Sequence, residues 1–460
     1  MSSVLVVGSG GREHALAWKL SCSPEVTRLI VAPGNDGYPE KWERWPVDLT
    51  GGALEARLER FRELAARAKR EGVRIAVIGP DNPLADGIVD VFEAAGVAVF
   101  GPRASAARIE ASKAFAKELM QAAKVPTARF GVVATAADAE AFLASPAVSK
   151  WAGWVVKADG LALGKGVKVC DSLKDATQAA RELIAVSGSL VIEEKLLGEE
   201  ISWLALCDGK RCALFPTARD FKRVGDGDKG PNTGGMGAYS PVADVPASWN
   251  ERVRREVFEP VLAEMRRRDS EFRGVLYAGL MVDPAQDRIS VLEFNARFGD
   301  PETQVLMARM KGDVLPWFEA VARGDLSPMI GAHTGNIPVV EDAAVVVVAA
   351  AKGYPDSPEK GRKIEFITGL AEQGSAPAGA GADGLPSYFM AGVVKKEDAL
   401  VTNGGRVLGA VARGRTVEEA RVRAYARLSE THFEGMQYRR DIAAGVGAAA
   451  SAARGERSSH

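Results

Sequence analysis

The first hundred residues alternate short runs of β-branched residues with segments of helical periodicity. The runs lie at Val4–Val7, Leu29–Val31, Ile75–Ile78 and Val97–Phe100, and segments such as Leu54–Arg70 separate them. Strands that alternate with helices pair in parallel, because each crossover returns the chain to the same edge of the sheet. Residues 1–110 therefore predict an α/β domain with a doubly wound parallel sheet.

Each predicted strand of this region ends in a turn rich in glycine, proline or asparagine. The turns are Gly8–Gly11, Pro33–Gly37, Gly79–Pro83 and Gly101–Pro102. Ligands of doubly wound sheets bind beyond the carboxyl ends of the strands, where such turns gather. The sequence therefore predicts a ligand site at this edge.

The pattern changes after Ser112, where a helix is followed by further strands. Strands are predicted at Trp154–Lys157, Val167–Cys170, Val191–Glu194, Tyr277–Val282 and Ile289–Phe294. A glycine-rich loop is predicted at Val224–Gly237, in the middle of this region. An α+β unit follows Pro338, with strands at Val345–Ala349 and Val407–Ala412, and the Ala-, Gly-, Ser- and Arg-rich stretch from Ala443 predicts a disordered tail.

Charge and cysteine spacing exclude several classes of protein. The formal net charge of −1 provides no field that would draw nucleic acid or anionic lipid to the chain. The longest apolar run, Ala343–Ala351, is too short to span a bilayer, and residues Met1–Gly8 lack the pattern of a signal peptide. The 4 cysteines form no Cys-x-x-Cys pair, which argues against a zinc site. We expect a cytoplasmic protein with no nucleic-acid or membrane partner.

The loop Gly8–His14 follows a strand and opens a helix, so its amides and the helix dipole are suited to a phosphate. A dinucleotide site would need a small residue in place of Glu13 and an acidic residue after the second strand, where Val31-Ala32-Pro33 stands. A phosphorylated small molecule near Arg12 fits better. A tight turn without any ligand remains an alternative.

A second group of candidates consists of lysines beside a flexible glycine loop. Lys113 and Lys157 are followed by Gly164-Lys165-Gly166, and ammonium groups over such a loop neutralise the charge of a triphosphate. Taken singly, each lysine is more often a solvated surface charge. Together with the carboxylates that follow, they favour a nucleotide site.

The candidate carboxylates lie at the ends of two predicted strands. Glu193, Glu194 and nearby Glu200 suit an adenine edge and ribose hydroxyls. Glu293 and Asn295 are two residues apart, so both face the same side of a strand and offer two oxygen ligands to magnesium. Alternatively, Glu293 is an outward residue of an alternating strand, although the polar run Asn295–Glu302 suits a cleft better.

These residues resemble the nucleotide and magnesium sites of the ATP-grasp superfamily. Four stretches resemble, more narrowly, the glycinamide ribonucleotide synthetase family: GGREHALAW from Gly10, DFKRVGDGDKGPNTGGMGAYSP at Asp220–Pro241, NARFGDPETQ from Asn295 and TNGGRVL from Thr402. The resemblance runs in order from Val4 to Ile442.

The resemblance implies a fold and an activity. It implies an ATP-grasp core at 111–124 and 198–335, a small lid at 125–197, a C-terminal α+β domain at 336–442 and a tail at 443–460. Members of the family activate glycine with ATP to form glycyl phosphate, which the amine of 5-phosphoribosylamine attacks. The products are glycinamide ribonucleotide, ADP and phosphate, a step of de novo purine biosynthesis. ATP and Mg²⁺, with Mn²⁺ as an alternative, are the implied cofactors, and a monomer is expected.

The resemblance also assigns roles to individual residues. Those implied to bind ATP are Lys113, Lys157, Gly164, Lys165, Gly166, Glu193, Glu194, Lys195, Leu196, Glu200, Arg223 and Asn232. Glu293 and Asn295 would hold the metal. Residues implied to act in catalysis are Lys157, Asp220, Lys222 and Arg297. Those implied to bind glycine or phosphoribosylamine are Gly10, Gly11, Arg12, Gly79, Pro80, Asp81, Asp220, Lys222 and Arg297.

The chain departs from the family pattern at several positions. Asp81 stands where Glu is common, Phe221 replaces a His, and Met390 and Val393 replace the His and Thr of His-Ala-Gly-Thr. The segment 181–190 is shorter than usual, which affects the expected lid geometry. Three other functions compete: an ATP-grasp ligase with a different acid or amine, a nicotinamide oxidoreductase, and a catalytically silent nucleotide-binding protein.

Overall fold

A computed structural model describes residues 2–161, 166–246, 248–333, 335–367 and 384–446. Gly164 and Lys165 of the predicted phosphate loop lie outside the described residues, as does most of the predicted tail. The first tail residues are described, and Ala443 is buried.

The N-terminal sheet is wholly parallel, as the alternating pattern predicts. Its strands lie in the order β3-β2-β1-β4-β5, with bounds β1 Ser2–Gly8, β2 Val26–Pro33, β3 Glu43–Arg44, β4 Val73–Ile78 and β5 Val99–Phe100. The associated helices are α1 Gly11–Ser21, α2 Leu54–Arg70, α3 Asp81–Asp86, α4 Ile88–Ala94 and α5 Ala104–Ala111. The turns after β1 and β4 therefore lie side by side at the predicted edge.

A small antiparallel sheet follows α6, Lys113–Ala122. Its order is β6-β9-β7-β8, with bounds β6 Phe130–Val133, β7 Trp154–Ala158, β8 Val167–Cys170 and β9 Leu190–Glu194. Helices α7 Ala136–Ala144 and α8 Leu173–Ser187 share a hydrophobic core with one face of this sheet. That core is separate from the large core shared by the other three sheets.

The central sheet is also antiparallel, in the order β11-β10-β16-β17. Its strands are β10 Glu199–Asp208, β11 Cys212–Leu214, β16 Arg273–Asp283 and β17 Arg288–Asn295. Around it lie α9 Trp249–Val253, a π-helical turn Arg254–Phe258, α10 Glu259–Arg267, a 3₁₀ turn Pro284–Gln286, α11 Glu302–Arg309, α12 Leu315–Arg323 and α13 Ser327–His333.

The fourth sheet combines strands that are far apart in sequence, in the order β12-β15-β18-β23-β20. These are β12 Arg219–Asp220, β15 Gly237–Ser240, β18 Ala343–Ala350, β20 Tyr388–Met390 and β23 Arg406–Gly414, with helix α14 Val417–Leu428. Two small pairs complete this part, β19 Glu365–Phe366 with β24 Thr431–His432, and β21 Val393–Lys396 with β22 Ala399–Thr402. Strands from the stretches 198–335 and 336–442 thus share one sheet.

The prediction of a loop at Val224–Gly237 was wrong over much of its length. β13, Arg223–Gly225, pairs with β14, Lys229–Asn232, in a hairpin. Its turn uses positive φ at Gly227 and Asp228, which glycine and aspartate tolerate. The glycine-rich composition led to the prediction of a long loop, because the glycines that form the turn of the hairpin resemble those of a loop.

Among the described residues, no helix combines the length and the apolar character needed to cross a bilayer.

Candidate active site

The glycine loop after β1 is occupied by the side chain of Glu13. Its carboxylate accepts hydrogen bonds from the Gly10 amide at 2.7 Å and from Nε of Arg12 at 2.5 Å. A Cβ at Gly8 or Gly79 would lie 2.4 Å or 2.1 Å from this side chain, so both positions require glycine. A buried carboxylate that already binds a loop amide disfavours a dinucleotide pyrophosphate, which argues against the nicotinamide alternative.

The same loop faces the polar stretch after β17. Nη1 of Arg12 donates to the Phe298 carbonyl at 3.2 Å, and a Cβ on Gly10 would lie 3.7 Å from Oδ2 of Asp300. The structure therefore brings the predicted substrate residues Gly10, Gly11 and Arg12 against the NARFGDPETQ stretch.

Asp300 has a partner that sequence reasoning missed. Nη2 of Arg406 lies 2.7 Å from its Oδ2, and Nη1 donates to the Asp300 and Gly234 carbonyls, each at 2.6 Å. Arg406 belongs to the TNGGRVL stretch, but nothing in that motif indicates a contact across 106 residues. It brings a cation from β23 to the edge of the glycine loop.

Arg297 lies where the turn after β4 meets α5. Its guanidinium is 3.0 Å from Glu110, which also accepts from the Ala296 amide at 2.8 Å. Burial opposes the charge of Arg297, but the carboxylates of Glu110 and Asp81 outweigh it and raise the pKa of the guanidinium. Its buried Nε has no hydrogen-bond partner among the described residues, so one donor remains for a ligand. Gly79, Pro80 and Asp81 form the start of α3 beside it.

A buried carboxylate holds the predicted phosphate lysine in place. Oε1 of Glu193 lies 2.9 Å from Nζ of Lys157, and Oε2 lies 3.0 Å from Nζ of Lys117. Lys157 also donates to the Leu292 carbonyl at 3.1 Å, while Lys113 donates to the Gly160 carbonyl at 2.7 Å. Burial and Lys157 lower the pKa of Lys117 to about 8, although Glu193 opposes the shift. Sequence reasoning missed Lys117, one helical turn beyond Lys113.

The carboxylates of the central sheet converge on Lys222. Its Nζ forms an ion pair with Glu200 and lies 3.7 Å from Glu293. Gly279 leaves space between the two acids, since a Cβ there would lie 3.6 Å from Oε1 of Glu200 and 3.5 Å from Cγ of Glu293. Burial would raise the pKa of Glu293, but nearby lysines, Lys222 most strongly, lower it. Glu293 is therefore ionised at neutral pH.

The neighbouring Asp220 behaves in the opposite way. Burial raises its pKa to about 8, and nearby carboxylates add to the shift while Lys222 opposes it. The contributing carboxylate Glu302 is buried and accepts from the Tyr277 hydroxyl at 2.6 Å. Asp220 therefore keeps its proton at neutral pH, whereas Glu293 does not.

The donor set of β17 fits magnesium only together with phosphate oxygens. Glu293 and Asn295 lie on one face of the strand, opposite Gly279 and Tyr277. Among the described residues, no group of three acidic, histidine or cysteine side chains could hold a metal by itself. Mg²⁺ commonly takes one or two protein oxygens and completes its shell with phosphates and water. These two residues are consistent with such a site.

Helices α7 and α8 cover only one face of the small sheet, and Lys117 of α6 reaches the other face. Phe130, Glu193, Val155 and Val169 stand in cross-strand register on that face. Val169 is 50% exposed and Phe130 and Val155 are half-buried. This apolar surface next to Lys157 suits a planar base.

The remaining nucleotide candidates lie in the small sheet and in the hairpin β13–β14. Glu194 pairs with Arg129 at 2.6 Å and Lys195 with Asp171 at 2.6 Å, and Leu196 is half-buried. Arg223 and Asn232 face each other in the hairpin β13–β14. Gly166 is buried at the start of β8. The structure thus brings several predicted residues together, Lys157 with Glu193 and Lys222 with Glu200 and Glu293.

Comparisons with known proteins bear on this cleft. Family models for phosphoribosylglycinamide synthetase match in three parts: the N domain at residues 2–110, the ATP-grasp (A) domain at 111–303 and the C domain at 344–445. The chain is 43% identical over 450 residues to a phosphoribosylamine–glycine ligase of Ralstonia nicotianae, covering 95% of this chain and 98% of that protein. It is also 43% identical to one of Streptomyces coelicolor over 442 residues, 96% of this chain and 98% of that protein.

Solved structures agree. The phosphoribosylamine–glycine ligase of Thermotoga maritima superimposes with a TM-score of 0.76 at 33% identity, covering 96% of this chain and 100% of that one. The biotin carboxylase domain of a Hydrogenobacter thermophilus carboxylase, solved with MgADP, has a TM-score of 0.68 at 15% identity over 95% of this chain and 91% of that one, a likeness of fold alone. The chain therefore belongs to the phosphoribosylglycinamide synthetase family, with its N, ATP-grasp and C domains.

Proposed function

We propose that the protein joins glycine to 5-phosphoribosylamine with ATP, giving glycinamide ribonucleotide, ADP and phosphate in purine biosynthesis. The observation that carries this proposal is a continuous series of charged side chains. It begins at the cations Lys113 and Lys157, passes the carboxylates around Lys222, and reaches the glycine loop through Arg297 and Asp300. A nucleotide, an amino acid and a phosphorylated sugar amine fit these three parts in that order.

The nucleotide is assigned to the part of the cleft under the small sheet. The adenine lies on the apolar face of Phe130, Val155 and Val169, with Glu193 to Leu196 and Glu200 near the adenosine. Lys113, Lys157 and Gly166 face the phosphates, and the family pattern assigns Gly164 and Lys165 to the same role. Mg²⁺, or Mn²⁺, on Glu293 and Asn295 supplies positive charge to the transferring phosphoryl group.

Activation and ligation need no protein nucleophile. Lys157, fixed by Glu193, stabilises the charge that develops as the glycine carboxylate attacks the γ-phosphorus. The cations Lys222 and Arg297 lie on either side of the reacting atoms. Together they bind the glycine carboxylate and the sugar phosphate. In its ionised form, Asp220, whose pKa is raised to about 8, is basic enough to accept the proton that the attacking amine loses.

Phosphoribosylamine is assigned to the glycine-loop end of the cleft. Gly10, Gly11 and Arg12 and the turn Gly79-Pro80-Asp81 lie there, together with Arg297. The shorter Asp81 contributes its charge to Arg297, and this contact supports a role that does not require the length of glutamate.

The domain division proposed with this function is the one expected above: 1–110, the core 111–124 with 198–335, the lid 125–197, and 336–442. The separate hydrophobic core of the lid supports its assignment. The protein is assigned to the cytosol, a reducing compartment that suits its four free cysteines.

The test is ADP release measured with glycine, phosphoribosylamine or ATP omitted in turn. We expect release to require all three compounds and glycinamide ribonucleotide to form in equal amount. Substitution of other amino acids for glycine distinguishes this ligase from an ATP-grasp enzyme with a different acid. Equal release with another acid, or release of AMP in place of ADP, would overturn the proposal.

A further inference from the structure

Residues 437–442, near the end of the described chain, lie against the hairpin β13–β14, and we call this stretch the C-terminal arm. It is tied to β18 by mutual backbone hydrogen bonds between Gln437 and Ala350, each of 2.8 Å. At its centre, Arg439 is only 1% exposed. A guanidinium at that depth requires several partners to offset its lost hydration.

The partners of Arg439 are carboxylates and a carbonyl. Its Nε and Nη2 donate to the two oxygens of Asp441 at 2.8 Å and 2.7 Å. Its Nη1 donates to Oδ1 of Asp228 at 2.6 Å and to the Arg223 carbonyl at 3.2 Å. Burial opposes the charge, but the two aspartates raise the pKa of Arg439 overall, so it remains a cation.

These contacts reach the first strand of the hairpin and its turn. Arg223 belongs to β13, and Asp228 lies in the turn that leads into β14. Two further bonds reach the turn from the arm: Asp441 accepts from the Gly227 amide at 2.8 Å, and Asp226 accepts from the Arg440 amide at 2.8 Å. A two-stranded hairpin is marginally stable alone. The geometry of β13–β14 therefore depends on the arm.

Arg439 also touches the segment before the hairpin. Its guanidinium carbon lies 4.9 Å from the ring centre of Phe221, within the range of a cation–π contact. Phe221 stands between Asp220 and Lys222. An aromatic ring without a polar edge at this position gives the arginine a flat surface to pack on.

We propose that Arg439 is a positioning residue for the nucleotide. By fixing the hairpin it places Arg223 and Asn232, which face each other across the two strands, and through Phe221 it steadies Lys222. The proposal rests on the proposed function in that the nucleotide is ATP. Arg439, a residue of the C-terminal arm, therefore contributes to the affinity of the protein for ATP.

The test compares Arg439→Met with its neighbour Arg440→Met in the full chain. Arg440 is exposed, and its contact with the hairpin is made by the backbone, so its side chain is a matched control. We expect Arg439→Met to raise the KM for ATP about 10-fold, with a much smaller change in the KM for glycine. Arg440→Met should match the unaltered enzyme, and Arg439→Lys should fall between, because lysine keeps the charge but lacks the fork.

Asp228→Asn covers the case in which Arg439→Met fails to fold. The Asp228 side chain is 64% exposed, and asparagine tolerates its positive φ. We expect its KM for ATP to rise about 3-fold, with faster hydrogen exchange at residues 223–232. An unchanged KM for ATP in Asp228→Asn, or a fall in kcat alone, would overturn the proposal. Failure of the proposed function would differ, because the unaltered protein would then release no glycine-dependent ADP.

Discussion

At the scale of single residues, Glu293 tests the metal assignment. Glu293→Gln keeps the shape of a half-exposed side chain and removes the charge that a magnesium ion would meet. We expect a folded protein whose ADP release falls by about 100-fold or more. The measurement is steady-state turnover over a range of magnesium concentrations.

Glu199→Gln is the matched control for that variant. Glu199 is exposed and pairs with Arg219 at 3.1 Å, away from the converging carboxylates, so its turnover should be normal. Near-normal turnover of Glu293→Gln at ordinary magnesium would contradict the metal assignment.

Glu193 provides a second test at this scale, because it is 1% exposed between two buried lysines. Glu193→Gln leaves both ammonium groups without their counter-charge, which costs about 3–5 kcal/mol for a buried pair. We expect the small sheet to unfold at a lower urea concentration. The fluorescence of Trp151 and Trp154 measures this unfolding. We also expect weaker ATP use, since the pKa of Lys157 is raised largely by Glu193 against the effect of burial.

The adjacent Glu194→Gln is the control for stability. Its partner Arg129 is 64% exposed, and exposed ion pairs contribute about 0–1 kcal/mol. Equal stability of the two variants would show that the ion pairs of Glu193 with the buried lysines do not stabilise the fold.

At the scale of elements, the small sheet with α7 and α8 is the part best able to move. Its hydrophobic core is separate from the rest, and a part with its own core can turn as a unit on short connections. We expect ATP to increase hydrogen-exchange protection of β7, which contains Lys157, and of its neighbour β8. Glycine alone should leave these amides unchanged, and equal protection with and without ATP would argue against a closing lid.

At the scale of the whole molecule, His14 joins the N-terminal sheet to the fourth sheet. Its Nδ1 accepts from the Met390 amide at 2.8 Å, among the rings of Tyr38, Trp42 and Phe389. Burial lowers its pKa to about 3. In the unfolded chain, His14 therefore binds a proton as the pH falls below about 6.5, whereas in the folded chain it stays neutral. The contribution of neutral His14 to the free energy of unfolding is fully present above pH 6.5 and is lost as the pH falls towards 3.

This predicts a stability loss of about 1.4 kcal/mol per pH unit below pH 6.5 from His14 alone. The measurement is the free energy of unfolding from pH 7 to pH 5 for the protein and for His14→Asn, whose amide oxygen can replace Nδ1 as acceptor. The variant should show a shallower slope, whereas replacement of the exposed His432 should not alter it. Parallel slopes for all three proteins would contradict the role of His14.

The sequence by itself determined the local elements and the shortest-range part of the site. The helix Leu54–Arg70 and the strand Val167–Cys170 have their predicted bounds, because periodicity and β-branching act over neighbouring residues. The shared face of Glu293 and Asn295 follows from the two-residue repeat of a strand. The family resemblance rests on local motifs of the same kind.

Only the tertiary structure decided which distant groups meet. The contacts of Glu193 with Lys117, of Asp300 with Arg406, and of Arg439 with the hairpin join residues 76 to 216 positions apart. No spacing in the chain encodes such pairs, since they depend on how four sheets pack together. The union of β12 and β15 with the C-terminal strands has the same origin. Strand edges pair according to their position in space, and that position is set by the packing of the whole core.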